Sequence, residues 1–237
     1  MNTVFHSADS RGFADHGWLQ ARHSFSFARW HDPDRMGFGL LRVLNDDTIA
    51  GGRGFATHPH DNMEIITIPL EGDLRHKDSM GNEAVIKQGE VQVMSAGSGV
   101  FHSEFNPNRD QHTRLLQIWV FPHTRDVEPR YDQVPIADLV ERNRISQILS
   151  PTPDDAGVWI HQNAWFHLAD LDADTTVRYA LNRPDNGVYA FVIDGTARIG
   201  DQDLSTRDGF GIWDVDGFDL TATSEARILL MEVPMEG

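Results

Sequence analysis

Glycine and proline, 20 of one and 11 of the other, interrupt almost every ten-residue window of this 237-residue chain. Neither sits well inside a helix: glycine loses too much conformational freedom, and proline lacks an N–H and clashes with the preceding turn. A helical fold is therefore excluded over most of the length. The runs between the breaks are β-forming. Met63-Glu64-Ile65-Ile66-Thr67-Ile68, Val85-Ile86, Val91-Gln92-Val93-Met94 and Leu115 to Phe121 are rich in residues branched at Cβ. Many short strands at this spacing predict an all-β sandwich or barrel.

Within that pattern two pairs stand out, His58-Pro59-His60 and His102-Ser103-Glu104. Successive side chains of a strand alternate faces, so both members of each pair point the same way. Side by side in a barrel, the two strands bring three imidazoles and a carboxylate to one interior point. Such a set suits Fe, Mn, Co, Ni, Cu or Zn alike, and one divalent ion, with iron foremost, is the expected cofactor. Neutral histidines and one carboxylate leave the centre at net +1, which favours an anionic ligand. Glu64, four residues after His60, stays on the inner face but roughly 12 Å or more further along at ~3.3 Å per residue. It is expected at the barrel rim, and Glu104 is the expected carboxylate.

Elsewhere Phe25-Ser26-Phe27 suggests a strand, and Asp32-Pro33-Asp34 and Asn45-Asp46-Asp47 suggest turns, with a strand from Leu40 to Leu44 between them. His76 and Asp78 fall in an expected hairpin loop, with an orienting bond to a ligand imidazole as the alternative. His16, His23, His31, His161 and His167 have no partner at ligand spacing and are expected to be structural or surface residues. Phe25, Phe27, Phe38, Phe55 and Met94 either pack the core or line a pocket for a flat aromatic molecule. Prolines break up residues 122–157, with a short helix expected over Ile136 to Arg144.

The second half reads as a worn copy of the first. Ile68-Pro69-Leu70-Glu71-Gly72 parallels Phe191-Val192-Ile193-Asp194-Gly195, and Gln88-Gly89-Glu90-Val91 parallels Asp208-Gly209-Phe210-Gly211. An internal duplication into two similar barrels follows. Where one copy has His102 and Glu104, the other reads Gly217-Phe218-Asp219-Leu220, without an HxH or an HxE. The expected division is 1–130, holding the metal, and 131–237, without ligands.

Charge and cysteine usage narrow the function classes. The net charge is 20 − 36 = −16, which repels a phosphate backbone, so nucleic acid is excluded as a broad partner. The absence of cysteine rules out disulfides, zinc-thiolate sites and thiol nucleophiles. No apolar run approaches the ~20 residues of a membrane span, and no secretory leader is seen, so a cytoplasmic protein is expected, and two barrels packed together in one chain make it a monomer.

Gly52-x5-His58-x-His60-x3-Glu64-x7-Gly72 resembles the first signature of the cupins, with one extra residue before the last glycine. Gly89 through Gly99-x2-His102-x3-Asn106 resembles the second, with Ser95 where proline is usual. THPHDNMEIITIPLEG, HKDSMG and MSAGSGVFHSEFNP narrow the likeness to the pirin branch. RGFADHGWLQARHSFSF, MGFGLLRVLNDD and PRYDQ extend it over essentially the whole chain. The chain is similar to bacterial pirin-like proteins described as quercetin 2,3-dioxygenases. That resemblance implies a bicupin, two tandem jelly-roll-like barrels, with His58, His60, His102 and Glu104 as ligands. It also implies a reaction: O2 opens the heterocycle of a flavonol such as quercetin, releasing a depside and carbon monoxide. Glu104, if it swings off the metal, is the expected base for the 3-hydroxyl proton. The alternative it implies is a metal-containing regulator that contacts a protein partner without turnover. A sugar isomerase ranks last, because only Arg53, Arg75 and Lys77 offer positive charge near the motifs.

Overall fold

Between the glycine and proline breaks the chain forms strands throughout its described residues, 1–236 of this computed structural model. The first six are β1 (Asn2–His6), β2 (Gly12–Asp15), β3 (Leu19–His23), β4 (Leu41–Ile49), β5 (Gly54–His60) and β6 (Glu64–Glu71). Next come β7 (Leu74–Asp78), β8 (Glu83–Ile86), β9 (Glu90–Ser95), β10 (Val100–Phe105), β11 (Thr113–Val120) and β12 (Arg130–Pro135). The second half has β13 (Ile145–Ser150), β14 (Val158–Trp159), β15 (Trp165–Leu171), β16 (Thr176–Ala180) and β17 (Asn186–Asp194). It ends with β18 (Ala197–Ile199), β19 (Gln202–Leu204), β20 (Gly209–Trp213), β21 (Gly217–Ala222) and β22 (Ala226–Pro234).

These strands make two copies of one cupin-type barrel. A seven-stranded sheet, β12-β9-β6-β11-β4-β3-β2, packs on a four-stranded sheet, β5-β10-β7-β8. The second copy packs β1-β20-β17-β22-β15-β13-β14 on β16-β21-β18-β19. The orders correspond position by position, β6 to β17 and β10 to β21 among them. Two strands cross the division expected at 130/131. Arg130–Pro135 pair with β9 in the first barrel, so the cut falls inside β12. Asn2–His6 pair with β20 in the second barrel, in the place that β12 fills in the first.

Strand alternation gives the first large sheet two working faces. Ile66, Ile68, Leu116 and Ile118 point away from the barrel and pack with Phe166, Tyr189, Phe191, Leu229 and Met231 in a core shared by both halves. Ile65, Gln117 and Trp119 point inward and line a cavity. The interior of the second barrel is instead filled mainly by apolar side chains, with the Tyr179 hydroxyl bonded to His167 and Glu232 among them. Counted from Gly72 and Gly195, His76 corresponds to Ile199, and strand pairing then matches Glu104 with Leu220, His102 with Phe218 and His58 with Tyr179. Aromatic and aliphatic groups thus stand where the first barrel has nitrogen and oxygen donors.

Four local expectations differ from what forms. β3 stops at His23, so Phe25-Ser26-Phe27 is not a strand. Ser26 Oγ accepts from the Asp32 N–H and donates to the Asp32 carbonyl, holding the Asp32-Pro33-Asp34 turn. Asn45-Asp46-Asp47 is the middle of β4, not a turn. Asp46 lies 3.2 Å from Arg11 and 3.4 Å from Arg207, and Asn45 bonds His23, so much of this buried polarity is paired. Residues 136–140 make a single turn, closed by the Leu139 and Val140 N–H groups on the Ile136 carbonyl, and Asn143, further on, sits at φ 61°. His76 to Asp78 belong to β7 rather than to a loop. Among the described residues no helix is long and apolar enough to cross a membrane.

His167, on β15, is buried with its Nδ1 3.3 Å from the Tyr179 hydroxyl, and burial lowers its pKa from 6.5 to about 4. The unfolded chain takes up this proton near 6.5, the folded chain only near 4. Protons in that window therefore bind the unfolded state in preference, so stability is full above it and falls as pH drops through it. Between about pH 7.5 and about pH 4.5, His167→Leu is expected to lose about 2–3 kcal/mol less stability than wild type in urea unfolding. Equal losses in the two proteins would contradict this account.

Candidate metal centre

β5 and β10 pair antiparallel, with His102 opposite His58 and Val100 opposite His60. β5 is a sheet edge, where the missing N–H of Pro59 between the two histidines is tolerated. A register shift between His102 and Glu104 sets Glu104 against Phe55, a local irregularity of the kind found beside sites. The His58 and His102 ring centroids are 4.4 Å apart, and His60 is 4.9 Å from each. Each of the three offers a nitrogen within 4.8 Å of the other two. His76, His102 and Glu104 meet the same limit, so His102 is common to both groups.

His102 is 2% exposed, and neither its Nδ1 nor its Nε2 has a hydrogen-bond partner among the described residues. A partnerless imidazole is costly to bury. Burial, then the neighbouring His58, His60 and His76, lower its pKa to about 2, and burial takes His60 to about 4. Both rings are thus neutral at neutral pH, the form that binds a metal. Burial pushes Glu104 up to about 7, against the opposing effect of its hydrogen bond from Gln117. The donor set fits a divalent transition ion.

Supporting contacts fix these groups. Gln117 Nε2 donates to both Glu104 oxygens, at 3.2 and 3.0 Å, and Thr67 Oγ1 donates to Gln117 Oε1 at 3.1 Å. His76 Nε2 is 2.9 Å from Asp78 Oδ2, and Asp78 also accepts from the Met80 and Asn82 N–H groups. His76 is therefore a buried neighbour of the cluster, with Asp78 holding its ring. Gln117→Leu is expected to weaken metal binding about 10–100-fold in a chelator competition, because Glu104 loses its orienting donor. Unchanged affinity would mean that packing alone orients Glu104.

The centre opens on a cavity of about 330 Å³, at the small end for small-molecule sites. Leu19, Phe27, Phe55, Ile65 and Trp119 make its apolar walls, and His16, His23, Asn45 and Asp47 its polar one. Burial, then the charges of Asp46 and Glu104, raise Asp47 well above the usual carboxylate range. Of the aromatic candidates, Phe27 and Phe55 line the cavity. Phe25 and Phe38 instead pack on Tyr189 in the shared core, and Met94 packs beside Ile65 and Val100. His16 and His23, expected in structural or surface roles, are on the cavity wall.

A family model described as Pirin matches residues 4–120, and one described as Quercetinase C-terminal cupin domain matches residues 147–233. Over 227 residues, 96% of each protein, the chain is 41% identical to the quercetin 2,3-dioxygenase of Escherichia coli (strain K12). The chain belongs to the pirin family. It is also 40% identical over 225 residues to the pirin-like protein of Caulobacter vibrioides, covering 94% of this chain and 96% of that one. The crystal structure of the bacterial pirin YhhW from Escherichia coli in complex with nickel(II) superposes with a TM-score of 0.93. That comparison covers 98% of this chain and 99% of the other at 39% identity.

In this pirin the departure at Ser95 has a local explanation. Its hydroxyl donates to Glu64 Oε2 at 2.6 Å, a bond that proline could not make. Glu64 is 1% exposed and is pushed up to about 7 by burial, so it is not a solvated rim charge. It lies apart from both donor groups.

Proposed function

We propose that this pirin is a metal-dependent dioxygenase of the quercetinase type. It opens the heterocycle of a flavonol with O2 to give a depside and carbon monoxide. The observation that carries this reading is the partnerless buried His102, set among His58, His60 and Glu104 at one wall of an aromatic-lined cavity. The names of the curated relatives agree with it. His58, His60, His102 and Glu104 would hold one divalent ion, with iron foremost.

When bound, the ion would supply a Lewis-acidic centre that acidifies the 3-hydroxyl. Glu104 would take the 3-hydroxyl proton on a carboxylate oxygen. Gln117 Nε2 keeps the carboxylate turned into the cavity. Phe27, Phe55 and Trp119 would hold the flat rings and keep water out.

The test is direct: load metal-free protein with Fe, Mn, Co, Ni, Cu or Zn, then add quercetin and O2. Loss of flavonol absorbance with matching release of carbon monoxide is expected for at least one ion. Absence of turnover with all six would overturn the reading.

A further inference from the structure

Asp47 is 5% exposed and lines the cavity beside Glu104 and His102, yet its Oδ1 has no hydrogen-bond partner among the described residues. Its neighbours explain why. Across the sheet it faces Leu115 on β11 and Ala21 on β3, neither of which offers a side-chain donor. The adjacent polar residues are committed elsewhere: Asp46 to Arg11 and Arg207, Asn45 to His23, and Gln117 to Glu104. An unpartnered carboxyl in a buried wall is unfavourable unless something entering the cavity completes it.

We propose that Asp47 reads the substrate: its carboxyl accepts a hydrogen bond from a ring hydroxyl other than the 3-hydroxyl. The site then selects polyhydroxylated flavonols over flavonols that lack the further hydroxyls. This inference rests on the dioxygenase reading. It adds a specificity residue on the wall formed by β3, β4 and β11, separate from the metal donors on β5 and β10.

The experiment compares metal-loaded wild type, Asp47→Leu and Asp47→Asn. Binding of quercetin and of 3-hydroxyflavone is followed under nitrogen by quenching of tryptophan fluorescence, Trp119 being a wall residue. Wild type is expected to bind quercetin on the order of tenfold or more tighter than 3-hydroxyflavone, the worth of a hydrogen bond to a buried partner. Asp47→Leu should erase that preference with metal content unchanged. Asp47→Asn should keep most of it, since its amide oxygen still accepts. Metal-free Asp47→Leu should melt no lower than wild type, because it removes an unpartnered group rather than a contact. The same preference in Asp47→Leu as in wild type, or loss of its metal, would overturn the assignment. If neither flavonol bound wild type, the dioxygenase reading itself would fall; binding of quercetin by wild type separates the two failures.

Discussion

Replacing Glu104 with glutamine is expected to lower kcat on quercetin by about 10²–10⁴, the usual worth of a positioned general base, while metal per chain stays unchanged. Glutamine keeps the shape of glutamate and retains an oxygen that can point at an ion, but its amide takes up no proton. Gln117 Nε2, now donating to both carboxylate oxygens, can still donate to the single amide oxygen, so the side chain should keep its place. Anaerobic binding of quercetin, metal analysis and carbon monoxide release together make the result readable. Normal turnover with the metal retained would remove Glu104 as the base. Loss of the metal would restrict its part to holding the ion.

His102→Ala is expected to empty the centre altogether. His102 is the residue shared by the two donor groups, so its loss breaks both. His58→Ala leaves His76, His102 and Glu104 together. Metal affinity should fall by more than the roughly 10–100-fold that follows loss of an orienting partner, with His58→Ala intermediate. Unfolding would not account for the result, because among the described residues no hydrogen bond ends on either ring nitrogen of His102. The melting temperature without metal should therefore change far less than the metal content, as calorimetry and elemental analysis would report. A His102→Ala protein that holds its ion as wild type does would place the centre elsewhere.

The meeting of His58, His60, His102 and Glu104 was legible in the sequence because their spacing is local. An i, i+2 spacing on a strand fixes the face of both side chains, whatever the rest of the chain does. The two-barrel architecture was legible for a related reason, since the repeated runs ending at Gly72 and Gly195 close equivalent strands. The opposite wall of the cavity was not. Asp47, Asn45 and His23 come from two strands, and they turn inward only through the pairing of β4 with β3 and β11. Three consecutive polar residues of turn-forming type imitate a loop, and only Arg11 and Arg207, both distant in sequence, make a buried Asp46 intelligible. Glu64 misled in a similar way: strand spacing kept it from the metal, but its burial against Ser95 depends on how β6 meets β9.

The exchange of β1 into the second barrel bears on how the molecule can be made and taken apart. Asn2–His6 emerge early in synthesis, but their partner Gly209–Trp213 emerges near the end. The second barrel therefore cannot be completed from contiguous chain: its large sheet stays one strand short until two distant segments meet. A first half expressed alone would carry a strand with no edge to join, and a second half alone would present an open edge to its neighbours. The first half is thus no detachable module, and a transplant or a gene split would have to move both halves, or redesign β1 and the core that the halves share.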